Sequence, residues 1–158
     1  MIICENNDLF MELKNDILYC DIKTIIINKE FYMGIDNTYK AYSVSNKKFT
    51  LLLNITNINK IPSYTNVNIL YNYFKNNYIN TNKTIYGTII IAKNSSLVKL
   101  VKFILSIYNS ARPVRITDSM DDIDKINNEF VSLSEQEYKK ENNEFVSLTE
   151  QEYNNKIS

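Results

Sequence analysis

The pattern of apolar and polar residues is clearest between residues 87 and 117, where it predicts a strand, a helix and a second strand. Residues 88–92 form an apolar run rich in β-branched side chains, which is typical of a buried strand. Residues 97–108 are apolar over most of a helical circumference, and residues 114–117 form another short strand-like run. A strand, a crossover helix and a strand in this order pair in parallel. The pattern therefore predicts an α/β fold.

The N-terminal part of the chain predicts a β-hairpin followed by a helix. Residues 10–14 and 17–22 are strand-like and flank Asn15-Asp16, a pair that suits a two-residue turn. Apolar residues then recur at helical spacing, so a helix is expected over residues 26–44. The side chains expected to face inward are Leu18, Cys20 and Ile22 in the second strand and Ile27, Phe31, Ile35, Tyr39 and Tyr42 in the helix. Together they would form one side of a core.

The remaining elements continue the alternation of strands and helices. Residues 49–55 form a near-continuous apolar run, as expected for a central strand that is buried on both faces. A helix is expected over residues 66–78, and a last helix carries Ile123, Ile126 and Phe130 on one face. The residues expected to cap the later helices are Thr65, then Ser95 or Ser96, then Asp118 or Ser119.

Three stretches resemble a known family. They are LLLNITNI at residues 51–58, GTIIIAK at residues 87–93 and ARPVRI at residues 111–116. With the helices between them, they resemble a STAS-like domain, the fold of anti-sigma factor antagonists and of the cytoplasmic tails of sulfate transporters. The resemblance is closest to small STAS-like proteins grouped with CRAL-TRIO lipid-binding domains. It implies a mostly parallel central sheet of about five strands, with amphipathic helices and the N-terminal β-hairpin.

The resemblance also implies a switch loop. In the phospho-switch members of the family, the loop after the central strand carries an Asp-Ser-Ser-Gly type motif, and phosphorylation of a Ser there blocks partner binding through added charge. The matching residues here are Pro62, Ser63, Tyr64 and Thr65, which keep one Ser of the motif. Ser63, Tyr64 and Thr65 are therefore the candidate switch loop. The alternative is that Ser63 and Thr65 only shape the loop and cap the next helix.

The helix over residues 97–108 is more apolar than packing on a sheet requires. A helix on a sheet needs an apolar stripe of about 100°, whereas the polar residues of this helix cover an arc of only about 80°. Either neighbouring helices cover the excess, or it forms a surface for a protein partner, a second copy of the chain (a homodimer) or a lipid. The candidate surface residues are Val98, Phe103, Leu105 and Ile107.

The C-terminal part contains a near-exact duplication. Residues 127–138 recur fifteen residues later as residues 142–153, with only Ser134 changed, to Thr149. Each copy contains a capping-box pattern, Ser134 with Glu137 and Thr149 with Glu152, so each could start a short helix. We therefore divide the chain into a STAS-like domain over residues 1–128 and a polar tail over residues 129–158. The two copies cannot both occupy one site on the domain.

Composition excludes several classes of chemistry. The chain has 158 residues, no His, two Cys and two Gly, so a His-based triad, an imidazole zinc site and a glycine-rich phosphate loop are excluded. Lys plus Arg and Asp plus Glu are both 18, and this balance argues against a nucleic-acid partner. The four Asp residues between positions 118 and 124 fit a helix cap and a solvated face better than a metal site. No catalytic residue, metal or cofactor is expected.

These observations lead to a prediction of function. We expect a non-enzymatic, cytoplasmic regulatory or scaffolding module that acts through contact with a protein partner. The N-terminus has neither the basic start nor the apolar stretch of a signal peptide, and both cysteines are expected to be reduced thiols. The alternative, from the CRAL-TRIO relatives, is a protein that binds a lipid or another small ligand. A large cavity under the helices would favour that alternative.

Overall fold

Within the residues that the structure describes, the strands form one six-stranded sheet, and in it they follow the order of the chain. A computed structural model describes residues 1–24, 28–107 and 109–137. The strands are β1 (Ile2–Glu5), β2 (Leu9–Lys14), β3 (Ile17–Ile22), β4 (Phe49–Asn54), β5 (Ile85–Ile91) and β6 (Val114–Thr117). The helices are α1 (Lys29–Ser45), α2 (Tyr64–Asn76), α3 (Tyr78–Thr84), α4 (Ser95–Ile107) and α5 (123–137), and a 3-10 turn at Met120–Asp122 precedes α5.

The sheet is mixed, so the expectation of a mostly parallel sheet of about five strands is wrong. β1, β2 and β3 pair antiparallel, whereas β3, β4, β5 and β6 pair in parallel. The unpredicted strand is β1, whose four residues are all exposed or half-buried and show no clear alternation. The α/β class is confirmed, and so is the parallel pairing of β5 with β6 across α4.

The predicted hairpin is confirmed, with its turn at the expected pair. Asn15 and Asp16 have φ values of 52° and 58°, and two left-handed residues of this kind match the twist of the flanking strands. The hydroxyl of Tyr42 donates a hydrogen bond of 2.6 Å to Oδ1 of Asp16. The C-terminal end of α1 is therefore tied to the hairpin turn.

Helices α1, α2 and α4 cover one face of the sheet. The predicted face of α1 is buried there, and residues 25–27, where that helix was expected to begin, lie outside the described residues. α2 and α4 are less deeply buried and pack against the same cluster. The helix residues in or against this core are Phe31, Tyr32, Ile35, Tyr39 and Tyr42 of α1, Leu70, Tyr73 and Phe74 of α2, and Leu97 and Val101 of α4.

Helix α5 covers the opposite face of the sheet. Its predicted apolar residues, Ile123, Ile126 and Phe130, pack in a second core with residues of β3, β4 and β5. α5 continues without a break from 123 to 137, across the predicted division at residue 128. Ser134 therefore lies inside a helix and is buried, so it does not begin one, and the predicted capping box of the first copy is wrong. The second copy lies outside the described residues.

The predicted caps were partly wrong, because two helices begin earlier than their apolar periodicity suggests. Ser63, not Thr65, caps α2, and its hydroxyl accepts a hydrogen bond from the N–H of Asn66. Asn94, not Ser95 or Ser96, caps α4, since its side chain accepts from two N–H groups of the first turn. Ser119 caps the turn before α5, as predicted. The expected helix over residues 66–78 is divided, and α3 follows α2 directly.

Candidate interaction site

The exposed face of α4 carries two large apolar side chains. Phe103 and Ile107 are 61% and 62% exposed, and a spacing of four residues places them on one face of the helix. Lys99 and Lys102 are exposed beside them. The structure therefore places an apolar stripe with basic neighbours on the surface of α4.

The other two predicted surface residues have a different position. Val98 and Leu105 are half-buried. Since successive residues of a helix are about 100° apart, Leu105 lies on nearly the opposite side of α4 from Phe103. Leu105 lines a cavity beneath the helix. The four predicted residues therefore divide into an outward pair and a partly inward pair.

An apolar cavity of about 130 Å³ lies between α2, α4 and the sheet. Ligand pockets are usually about 300–1,000 Å³, so this cavity has room for one or two side chains rather than for a lipid. It is lined by Leu53, Ile90 and Val114 from the strands, by Val67, Leu70 and Phe74 from α2, and by Val101, Ile104 and Leu105 from α4, among others.

Helix α2 forms one wall of this apolar cavity and is less firmly packed than α4. None of its residues is fully buried. It is held to α1 by Tyr73, whose hydroxyl donates a 2.6 Å hydrogen bond to Oδ1 of Asp36 and whose ring lies 4.6 Å from that of Tyr32. Burial and the neighbouring Asp36 carboxylate raise the pKa of Tyr73 above its usual value. The Tyr73 hydroxyl therefore remains a neutral donor over the physiological range.

The charges of the chain are segregated, although the net charge is zero. Residues 37–117 contain eleven Lys and Arg and no Asp or Glu, whereas eleven of the 18 acidic residues follow from residue 118 onwards. α2, α3 and α4 therefore belong to a segment, residues 37–117, in which every charged side chain is basic; we call it the basic segment. The sequence prediction used only the net charge and missed this; separate counts for the two parts of the chain would have found it.

The candidate switch loop lies at the N-terminal end of α2. Ser63 is exposed and caps α2, with 3.3 Å between its Oγ and the nitrogen of Asn66. Tyr64 is 83% exposed and Thr65 is also exposed, both within the first turn. A switch at Ser63, Tyr64 and Thr65 stays a prediction, and the capping role of Ser63 accounts for its position.

Two further properties concern the described part of the chain only. Within it, no three His, Cys, Asp or Glu side chains are placed to hold a metal ion together. None of its helices is both long enough and apolar enough to cross a bilayer. Asp122, one of the four Asp residues between positions 118 and 124, accepts a 2.6 Å hydrogen bond from the hydroxyl of Thr117.

Comparison of the chain with family models, with curated proteins and with solved structures gave no match. The STAS-like resemblance therefore stays a prediction. The geometry of the site itself carries the functional argument.

Proposed function

We propose that this protein is a non-enzymatic regulatory or scaffolding module that binds a protein partner through the exposed face of α4. The observation that carries the proposal is the exposed pair Phe103 and Ile107, one turn apart on the outward face of α4. Large exposed apolar side chains grouped on one face of a helix are typical of interaction surfaces. The cavity lies beneath α4, so we expect the partner to contact the outward face of the helix and not the cavity.

The charge of this surface favours an acidic, amphipathic partner segment. Lys99 and Lys102 on α4 are exposed, and the segment that carries them has no acidic residue. Docking of an amphipathic helix through its apolar face onto an apolar surface is a common mode of peptide recognition. Carboxylates on its flanks would pair with these lysines and speed association.

The alternative is a protein that binds a lipid or another small ligand. The apolar lining of the cavity favours it, but the volume of about 130 Å³ does not. A ligand of ordinary size would require α2 to move away from the sheet. We therefore place the protein partner first.

Site-specific photo-crosslinking tests the two functions against each other. The photoreactive residue p-benzoylphenylalanine replaces Phe103 in one variant and Val44 in a matched control; Val44 is also apolar, is 91% exposed, and lies on α1. Cells that express each variant are irradiated, and the adducts are identified by mass spectrometry. We expect a protein adduct at position 103 that is absent at position 44.

Two outcomes contradict the proposal. A lipid or small-molecule adduct specific to position 103 would support the alternative. Equal labelling at both positions would show that α4 carries no specific site. A protein adduct is then checked with Phe103→Ser, which should weaken binding at least tenfold, whereas Val44→Ser should not. Both side chains are exposed, so neither substitution should change the thermal midpoint.

A further inference from the structure

Helix α5 is held on the sheet by four residues that recur at helical spacing. They are Asn127, Phe130, Ser134 and Glu137, three, four and three positions apart. Their partners form the α5 site, which we define as Lys48, Thr50, Gly87 and Arg112. These partners come from three different parts of the chain, since Lys48 and Thr50 are two residues apart. The α5 site is therefore assembled only in the folded protein.

The contacts at the α5 site are specific. Asn127 accepts a hydrogen bond from the hydroxyl of Thr50, and Phe130 is 0% exposed and packs over Gly87. Further along the helix, Ser134 accepts a 3.2 Å hydrogen bond from Nζ of Lys48. Glu137 accepts one of 2.6 Å from Nη1 of the buried Arg112. One apolar anchor is thus surrounded by three polar contacts.

Every one of these contact residues is present again in the second copy. The corresponding residues are Asn142, Phe145, Thr149 and Glu152, and Thr149 keeps the hydroxyl of Ser134. We propose that the α5 site is a peptide-binding site for the repeated sequence, and that residues 142–153 are a second ligand that occupies it within the same chain when residues 127–138 leave. This inference does not depend on the partner-binding function proposed for α4.

The residues that precede each copy explain why the first copy occupies the site in the structure. Ile123 and Ile126 add two apolar contacts to the second core just before the first copy. Fifteen residues later the same positions hold Tyr138 and Glu141, which suit that core poorly. The first copy is therefore the preferred ligand, and the second copy is the weaker one.

Charge and chain length both allow the exchange. Each copy carries three Glu and no basic residue, whereas Lys48 and Arg112 provide two positive charges at the site. When the second copy binds, fifteen more residues must form the connection from β6. The free-energy cost of closing a longer loop rises only with the logarithm of its length. A tethered second copy therefore remains at high effective concentration.

Thermal unfolding of full-length variants tests the exchange. The variants are Phe130→Ala, Phe145→Ala and the double variant, each measured at two protein concentrations. We expect Phe145→Ala to leave the midpoint within about 1 °C, since the first copy stays bound. Phe130→Ala should lower the midpoint by less than half as much as the double variant, which we expect to lose about 10 °C or more.

The same series contains the results that would overturn the proposal. If Phe130→Ala and the double variant unfold at the same temperature, Phe145 does not replace Phe130. If the difference between them grows with protein concentration, the second copy enters another chain and not its own. Either result excludes exchange within one chain.

A crosslinking experiment decides the question even if Phe130→Ala does not fold. Lys48 and Thr149 are both changed to Cys in a Cys4→Ser background, where the other cysteine, Cys20, is fully buried. The control pairs Lys48→Cys with Ser134→Cys. A short bismaleimide should link both pairs within a single chain, the Thr149 pair more slowly. If the control pair is linked and the pair of Lys48→Cys with Thr149→Cys is not, the exchange is excluded.

Discussion

The two glycines of the chain, Gly34 and Gly87, both lie where another side chain comes close. A Cβ atom on Gly87 would stand 2.5 Å from ring atoms of Phe130. One on Gly34 would stand 2.7 Å from Cε of Met11, the flexible end of a long side chain. A buried aromatic ring on a docked helix cannot move aside as a methionine methyl group can. A Cβ atom at Gly87 is therefore expected to reduce stability more than one at Gly34, although the two distances are similar.

Gly87→Ala should lower the free energy of unfolding by about 1–3 kcal/mol, the usual cost of overpacking a core. Its matched control is Gly34→Ala, where the cost of moving Met11 is offset by roughly 1 kcal/mol of improved helix propensity. Urea denaturation of both variants measures the difference. Equal effects at the two positions would contradict the close contact between Phe130 and β5.

At the scale of the element, the ends of the helices depend on single side chains that periodicity does not identify. Both serines at the start of α4 are ordinary capping residues, and the sequence could not choose between them. In the structure it is Asn94, one position earlier, whose Oδ1 accepts hydrogen bonds of 2.9 Å and 3.3 Å from the N–H groups of Ser96 and Leu97. Because the chain is rich in Asn, a single Asn before a helix is weak evidence for a cap.

Asn94→Ala should destabilise the protein by about 1 kcal/mol, because two N–H groups of the first turn of α4 lose their acceptor. Ser95→Ala should change the stability by no more than about 0.5 kcal/mol, as is usual for an exposed side chain. Chemical denaturation of the two variants checks this. A larger loss for Ser95→Ala than for Asn94→Ala would assign the cap to the serine after all.

At the scale of the whole molecule, the sheet separates two cores, and helices from different parts of the chain cover them. α1, α2 and α4 cover one face, and α5 alone provides the helical cover of the second core among the described residues. The basic segment and the acidic C-terminal part meet where Glu137 of α5 pairs with Arg112. Nη2 of Arg112 is buried and has no hydrogen-bond partner within the described ranges. The pair with Glu137 is therefore important for keeping this charge inside the protein.

Two truncations test where the domain ends. A chain that ends at residue 128 loses Phe130, Ser134 and Glu137, and we expect it to lose at least about 3–5 kcal/mol, the usual cost of removing one buried Phe side chain. A chain that ends at residue 137 keeps every described contact of α5 and should lose little. Urea denaturation followed by circular dichroism measures both. If the shorter chain is as stable as the longer one, the predicted division at residue 128 is right.

Most elements could be predicted from the sequence because their signals are local. The alternation in β3, the apolar run of β4, the turn pair Asn15-Asp16 and the apolar face of α5 each depend on neighbours a few residues apart. The same holds for the outward position of Phe103, which follows from the polar arc of α4. The notable failures are β1, which depends on its pairing with β2, and the beginnings of α2 and α4.

Other features depend on contacts between segments that are far apart in the chain. The pairing of β4 with β5 skips Tyr86, because Phe49 faces Ile85 whereas Thr50 faces Gly87. This irregularity turns Gly87 toward α5 and leaves space for Phe130. The cavity beneath α4 and the α5 site likewise combine residues far apart in the chain. Hydrophobic periodicity acts over a few residues and therefore defines elements and their faces; which faces meet, and which charges they bring together, depends on long-range packing.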